Sequence, residues 1–188
     1  MSPYSTGDTD HANCDRPWCS PRLRKRARSA GRGLISGHAT TVVDGNTYRI
    51  IYDRIRIWGI DTPEWRARCI TSGQKWQPAW GSYAALKECL RGTTVTCRVQ
   101  KIEPRFARPR FVAECWRDDD KQDVAACMVR GGWATDYPGY SGGHYAGLED
   151  EPKTIRRGLW QCDDGPPTRR WCSGGLCERP IYKPSGPE

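Results

Sequence analysis

The sequence has no run of apolar residues that approaches the roughly 20 needed to span a bilayer. Between Met1 and Gly33 it also lacks the apolar core of about 7–15 residues that a secretory signal peptide requires. Its three histidines have no metal-ligand spacing, and no internal repeat or low-complexity tract is visible. These absences predict no membrane span and no export through a visible signal, and they leave the compartment undetermined.

Cysteine, in contrast, is abundant, with 10 among the 188 residues. An even number of cysteines is typical of a disulfide framework in an oxidising compartment. Three alternatives stay open: delivery without a recognisable signal, a true start that differs from the first residue, or thiols that remain reduced. Cys97 and Cys115 fall on predicted strands, so a bridge between them is one alternative. The pairs Cys14–Cys19 and Cys172–Cys177 share one spacing, which local disulfides or free thiols fit better than a shared zinc site.

Basic residues outnumber acidic ones, with 30 Lys+Arg against 22 Asp+Glu and a formal net charge of +8. This charge favours contact with a polyanion such as nucleic acid or an anionic membrane surface. The length of 188 residues suits one compact domain with tails. We expect a monomer with a basic, mostly disordered N-terminal tail over residues 1–33, a folded domain over 34–162, and a Pro/Gly-rich C-terminal tail with a cysteine pair over 163–188.

The pattern of β-branched residues, helical spacing and turn signals predicts the order of elements along the folded domain. The predicted elements are strands over about 35–43, 47–52 and 54–59, a helix over 79–91, strands over 93–102 and 109–116, and helices over 122–130 and 149–157. Pro152 fits the last helix only within its first turn. Five short strands with a helix after the third predict an α+β fold, a five-stranded Greek-key β-barrel of the OB-fold type with three helices.

The segment from Arg56 to Glu64 carries the most chemical information. It reads Arg-Ile-Trp-Gly-Ile-Asp-Thr-Pro-Glu. A strand that ends in Asp61, followed by Thr62 and Glu64, delivers two carboxylates and a hydroxyl onto one turn at the rim of the barrel. Taken alone, the same pattern also fits a capped strand end in which Asp61 binds turn amides and Glu64 is solvated.

Five short segments together resemble the staphylococcal-nuclease-like (thermonuclease) family, in that family's order and approximate spacing. They are Val43–Thr47, Arg56–Glu64, Arg110–Ala113, Met128–Ala134 and Arg157–Trp160. The resemblance implies a five-stranded barrel with three helices. It also implies calcium-dependent hydrolysis of phosphodiester bonds in DNA and RNA, with little sequence specificity.

The resemblance further implies roles for individual residues. Arg56 and Arg110 match two arginines whose guanidinium groups bind phosphate oxygens, a task that suits their forked donors better than lysine. Glu64 matches the carboxylate that activates or orients the attacking water. The positions that match the oxygen ligands of a calcium ion are Asn46, Asp61 and the main-chain carbonyl of Thr62.

Two positions depart from the family pattern. Asn46 stands where the family usually has an aspartate, and its amide oxygen carries no charge. The alternative is therefore a catalytically weak or inactive nucleic-acid-binding module on the same fold, although the presence of Glu64 favours an enzyme. Near the second arginine, Arg108 competes with Arg110, which matches better because Val112-Ala113 follow at the family's interval. A third interpretation, an interaction domain in a larger assembly, rests only on the cysteine-bearing tails.

Other candidates have two interpretations each. Tyr137 and Tyr140 fit either a substrate contact or ordinary loop packing. Three basic residues of the loop after Glu64 either contact the phosphates of a bound strand or are simply solvated: Arg66, Arg68 and Lys75. Four tryptophans are predicted to serve packing rather than base stacking: Trp58, Trp116, Trp133 and Trp160.

Overall fold

The computed structural model describes residues 33–104 and 108–168. The predictions of a disordered N-terminal tail and of the pairing or metal binding of the four terminal cysteines lie outside these residues. Within the described part of the chain, no helix combines the length and the apolar character needed to cross a membrane.

The described elements follow one another as strands, a helix, two long strands and then short helices. In chain order they are β1 (Leu34–Asp44), β2 (Thr47–Ile50), β3 (Asp53–Ile57), β4 (Ile60–Asp61), β5 (Cys69–Thr71), β6 (Gln74–Trp76), α1 (Pro78–Cys89), β7 (Thr94–Glu103), β8 (Arg110–Arg117), α2 (Val124–Arg130), β9 (Thr135–Asp136), α3 (Pro138–Ser141) and α4 (Asp150–Thr154). Two 3-10 turns, Ala146–Glu149 and Gly158–Gln161, flank α4.

Five strands form the main sheet in the order β1-β2-β3-β8-β7, and they close into a barrel because β1 pairs with both β2 and β7. Only the β3–β8 pair of this barrel is parallel. Two small sheets, β4–β9 and β5–β6, lie outside it. The prediction of an α+β fold with a five-stranded sheet and helices is confirmed.

The barrel interior explains why β3 presents its arginines outward. Ile55 and Ile57 are buried in the core, whereas Arg54 and Arg56 alternate with them and remain partly exposed. Burying one such isoleucine stabilises the fold by about 1.5–3 kcal/mol, so the strand keeps this register. Because the two isoleucines must face inward, Arg56 faces the surface.

The last predicted helix differs most from the structure. The expected helix over 149–157 was wrong in its extent, since α4 spans only Asp150–Thr154. The chain leaves the helical conformation at Arg156, which has φ +52°, and Gly158 follows at φ +61°. A Cβ on Gly158 would lie 2.4 Å from the carbonyl oxygen of Gly132, so that close approach requires glycine. Pro152 does lie in the first turn of α4, as the sequence required.

Three disulfide bonds link the described cysteines: Cys69–Cys162, Cys89–Cys127 and Cys97–Cys115. Among the described residues no cysteine is free. Cys97 and Cys115 are register partners on β7 and β8, so the bridge left open by the sequence is formed. Such bonds are compatible with an oxidising, extracytoplasmic compartment.

Residues 163–168, which the sequence assigned to the C-terminal tail, contact the domain. The amide of Asp163 donates to the carbonyl of Ile70 at 2.8 Å. Thr168 is buried, and its hydroxyl lies 3.0 Å from that of Thr135 on β9. The chain therefore continues to contact the domain, at β5 and β9, beyond residue 162.

Candidate active site

The turn between β1 and β2 holds Asn46 in a fixed position. The carboxylate of Asp44 accepts a hydrogen bond from the Asn46 amide at 3.0 Å, which closes the turn. The main-chain oxygen of Asn46 accepts from the amide of Ile57 at 2.8 Å, and its side-chain oxygen accepts from the hydroxyl of Thr47 at 3.1 Å. Only 4% of Asn46 is exposed, so its side chain belongs to the framework of the site.

The corner between β3 and β4 brings Arg56 and Asp61 together. Arg56 Nη2 lies 3.8 Å from Asp61 Oδ1, with side-chain exposures of 20% and 3%. The chain reverses at Gly59, whose φ is +80° and where a Cβ would lie 2.7 Å from the ring of Tyr145. The hydroxyl of Tyr145 donates to the carboxylate of Asp123. Burial first, and Asp123 second, raise the pKa of Tyr145, so this phenol stays neutral where it packs against Gly59.

A second layer of hydrogen bonds supports β4 from behind. Asp61 pairs with Thr135 on β9, and Ile60 pairs with Asp136. The Asp136 amide donates to Glu149 Oε1 at 2.7 Å. Glu149 has no exposed side-chain surface, and its carboxylate lies 2.8 Å from Lys153 Nζ. This buried, paired carboxylate fixes the backbone that carries Asp61.

A close approach at Gly45 joins the turn that carries Asn46 to the loop that carries Thr62. A Cβ on Gly45 would lie 3.0 Å from Thr62 Cβ and 2.6 Å from Ser82 Cβ on α1. Ser82 is buried and donates from its hydroxyl to the carbonyl of Trp133 at 2.7 Å. The turn that carries Asn46 therefore lies close to Thr62 and to α1, and Asp61 directly precedes Thr62 in the chain.

Glu64 lies two residues beyond Thr62 in chain order and is exposed. Its main-chain oxygen accepts a hydrogen bond from the amide of Ala67 at 2.8 Å, which forms a turn. Glu64 is therefore an exposed residue in a turn that follows the buried Asp61 and Thr62 in the chain.

Arg110 lies on the strand next to Arg56. Arg110 pairs with Arg54, and Val112 pairs with Arg56, so the two candidate arginines share the outer face with an offset of two residues. Strand spacing puts their Cα atoms about 8 Å apart. Arg110 donates to Glu103 from Nε at 2.8 Å and also from Nη2. Glu103 therefore holds the guanidinium of Arg110.

Arg108, the competing arginine, is exposed and contacts Tyr52, with 5.0 Å between the guanidinium carbon and the ring centroid. Tyr52 lies in the turn between β2 and β3, at the opposite end of that hairpin from Asn46. Because β8 runs parallel to β3, Arg108 lies farther from Asp61 than Arg110 does.

The candidate calcium ligands offer oxygen atoms only, as a hard cation requires. They are an amide from Asn46, a carboxylate from Asp61 and a main-chain carbonyl from Thr62. No cluster of three or more His, Cys, Asp or Glu side chains suited to a metal occurs in residues 33–104 and 108–168. That result agrees with a donor set in which only one member is acidic. The donors fit calcium by type, and their low charge predicts weak affinity.

The predicted packing tryptophans have identifiable contacts. Trp58 and Trp133 pack against the hydrophobic core. Arg98 lies over the ring of Trp116 at 5.1 Å, and Lys153 lies over that of Trp160 at 4.8 Å.

Two loop groups have local contacts. Arg68 donates to the carbonyl oxygens of Arg66 and Ala67, within its own loop. Tyr137 and Tyr140 pack against each other with ring centroids 5.4 Å apart. These contacts are compatible with the structural interpretation of both groups.

Sequence reasoning missed two features near the site. The first is Glu103, the partner of Arg110. Only the register of β7 against β8, which pairs these two residues directly, could have indicated it. The second feature is an exposed contact among Trp65, Trp80 and Tyr83. Trp80 and Tyr83 are three residues apart on a helix, a spacing that places them on one face.

Comparison with known protein families assigns this barrel to a class. Residues 54–162 match the family model described as Staphylococcal nuclease homologue, and this is more than half of the 188 residues. The chain belongs to the staphylococcal nuclease homologue family, which confirms the resemblance drawn from its motifs.

Two curated proteins are similar to the chain. "Succinoglycan biosynthesis protein ExoI" of Rhizobium meliloti (strain 1021) is 30% identical over 128 residues, which are 68% of this chain and 65% of that protein. "Probable endonuclease LCL3" of Clavispora lusitaniae (strain ATCC 42720) is 32% identical over 114 residues, 56% of this chain and 47% of that protein. The chain thus spans less than two thirds of the length of either relative.

Proposed function

We propose that this protein is a calcium-dependent nuclease, on a Greek-key barrel of the OB-fold type, that hydrolyses phosphodiester bonds of DNA, RNA or both with little sequence specificity. The observation that carries the proposal is the rim itself, where Arg56 lies 3.8 Å from the buried Asp61. The family match and a relative named as a probable endonuclease support it. Glu64, an exposed residue three positions after Asp61 in the chain, is the proposed base.

In the proposed reaction, a phosphodiester binds on the outer face of β3 and β8. Arg56 and Arg110 donate to its non-bridging oxygens, where negative charge grows as water attacks phosphorus. The Glu64 carboxylate accepts a proton from that water. The new P–O bond forms as the bond to the leaving oxygen breaks, and the leaving oxygen takes a proton from solvent. Glu103 orients the guanidinium of Arg110 on this face.

The residues that would hold calcium are Asn46, Asp61 and Thr62, the last through its main-chain carbonyl. The chemistry that the bound ion would supply is neutralisation of charge on the phosphate oxygens. Asp61 contributes the only negative charge among these ligands, and it also faces Arg56.

The alternative is a catalytically weak or inactive nucleic-acid-binding module on the same barrel. The neutral Asn46 at a ligand position is the observation that favours it. Glu64 favours the enzyme instead, because binding a polyanion gains nothing from an exposed carboxylate at the rim.

The test of the function is degradation of plasmid DNA and of RNA by purified protein in calcium, with and without a chelator. We expect both substrates or one of them to be degraded, and chelation to stop degradation. Binding without degradation at any calcium concentration would support the binding module. Degradation that survives chelation would remove calcium from the proposal.

The first prediction concerns the asparagine. Asn46→Asp adds a full negative charge at a ligand position, and charge count tunes cation affinity in sites built from oxygen ligands. We expect tighter calcium binding and faster cleavage at limiting calcium. The measurement is a calcium titration followed by calorimetry and by cleavage rate, on both proteins side by side. If Asn46→Asp changes neither the calorimetric titration nor the calcium dependence of the cleavage rate, while the native protein is fully active, position 46 is not a metal ligand.

The second prediction separates the two arginines on β8 and the loop before it. A guanidinium that binds the transition state affects turnover more than ground-state binding. We expect Arg110→Ala to lower kcat by about 10²-fold, comparable to the loss of one oxyanion donor. Arg108→Ala, the matched control, should change kcat by less than about threefold, because an exposed cation contributes mainly to weak binding. The reverse pattern would show that the alignment of this strand is wrong.

A further inference from the structure

An exposed aromatic cluster joins the loop after Glu64 to helix α1. It consists of Trp65, Trp80 and Tyr83, each of which contacts the other two, with ring centroids 4.9, 5.8 and 6.0 Å apart. Trp65 is 38% exposed and Trp80 is 58% exposed. Rings that serve the core are normally buried, whereas these two indoles face water.

The cluster is ordered rather than loosely attached. The indole N–H of Trp80 donates to Gln77 Oε1 at 3.1 Å, which fixes the ring relative to α1. The contact between Trp65 and Trp80 is edge-on, with 67° between the ring planes. Edge contacts cover less of a ring face than stacking does, so flat apolar surface remains available to a planar ligand.

Position links the cluster to the site. Trp65 directly follows Glu64 in the chain. Trp80 and Tyr83 lie on the same helix as Ser82, which closely approaches Gly45 in the turn that carries Asn46. The same helix therefore contacts the candidate metal turn and carries two rings of the cluster.

The charge around the cluster suits a polyanion. Lys87 Nζ lies 5.7 Å from the centroid of the Tyr83 ring. Arg66, exposed, follows Trp65 in the chain. Surfaces that bind single strands combine two components: basic groups that contact the phosphates and aromatic rings on which the bases stack.

We propose that Trp65, Trp80 and Tyr83 form a nucleobase-stacking subsite for the strand whose phosphodiester lies at Arg56 and Glu64. This inference rests on the proposed nuclease function and adds a contact to the bases. The ligand is an unpaired base, since the faces of paired bases inside a duplex are covered by their neighbours and cannot reach a protein ring. Stacking on any base explains how a strand is held without sequence specificity.

The test compares three probes of equal length in the presence of a chelator: single-stranded oligo(dT), an abasic strand with the same phosphates, and a blunt duplex. We expect the native protein to bind oligo(dT) more tightly than the abasic strand. Trp80→Leu, which keeps apolar bulk but removes the ring, should weaken oligo(dT) binding about tenfold and leave the abasic strand unaffected. Trp80→Phe should retain most of the affinity. Ile155→Ala removes another exposed apolar side chain and serves as the control.

The outcomes separate this inference from the function on which it rests. If native protein binds both strands equally, or Trp80→Leu and Trp65→Leu bind oligo(dT) as the native protein does, the stacking subsite is overturned while the nuclease proposal stands. If Trp80→Leu instead changes only self-association in sedimentation, the cluster is a protein interface and the inference is overturned. If the native protein neither binds nor cleaves any of the probes, with or without calcium, both proposals fail.

Discussion

Glu64→Gln is expected to lower turnover by about 10²-fold or more while the fold and substrate binding are retained. The amide has nearly the same shape as the carboxylate, but it cannot accept a proton from the attacking water. Glu64 is exposed, and substitutions at such positions usually change stability by no more than about 0.5 kcal/mol. The measurement is kcat and KM on a nucleic-acid substrate at saturating calcium, together with thermal unfolding of each protein.

The matched control is Glu88→Gln on α1. Glu88 is also exposed, with 66% of its side chain accessible, and it pairs only loosely with Arg91 at 3.4 Å. This variant removes the same charge from the protein away from the rim, so its kcat should equal that of the native protein. An unchanged rate in Glu64→Gln would remove Glu64 from the mechanism. An equal loss in both variants would attribute the effect to net charge.

The turn and the strand that carry several candidate residues could be predicted because those residues are close in sequence. Asn46, Arg56 and Asp61 lie on one hairpin and its continuation, and local turn signals with alternating isoleucines fix which side of the strand each occupies. The hydrogen bond from Ile57 to Asn46, at 2.8 Å, is a direct consequence of that hairpin register. Short-range pattern therefore predicts the turn and the strand, whereas the outward orientation of Arg56 is a finding of the structure.

What could not be predicted depends on contacts between distant parts of the chain. The pairing of β4 with β9 joins Asp61 to Thr135, and only the folded chain brings Glu149 behind that pair. Sequence periodicity gives no information about which distant carboxylate will be buried against which amide. The last helix was overestimated for a related reason, since the chain leaves the helical conformation at Arg156, shortly before Gly158 approaches the distant Gly132.

Local sequence patterns likewise could not predict which cysteines pair. The largest effect on stability is expected from the loss of one of these disulfides. Cys69 and Cys162 are 93 residues apart, and their bond fastens β5 to the end of the Gly158–Gln161 turn. A cross-link that closes so long a loop restricts the unfolded chain, and the loop-entropy relation gives about 4–5 kcal/mol for this length. The amide of Asp163 donates to Ile70 beside the bridge, so the native geometry reinforces the same junction.

Removing this bridge with the double variant Cys69→Ala/Cys162→Ala should therefore lower the free energy of unfolding by about 3–5 kcal/mol. Urea unfolding measures it, and the m-value should rise because the uncrosslinked unfolded chain exposes more surface. The control is Cys89→Ala/Cys127→Ala, whose bridge spans 38 residues. Its loss should cost about 0.5–1 kcal/mol less, as the shorter loop requires. A loss below about 1 kcal/mol for the 69–162 pair, with an unchanged m-value, would mean that the bridge does not restrain the unfolded chain. In that case non-covalent contacts, such as the hydrogen bonds from Asp163 to Ile70 and from Thr71 to Gln161, hold the β5 junction.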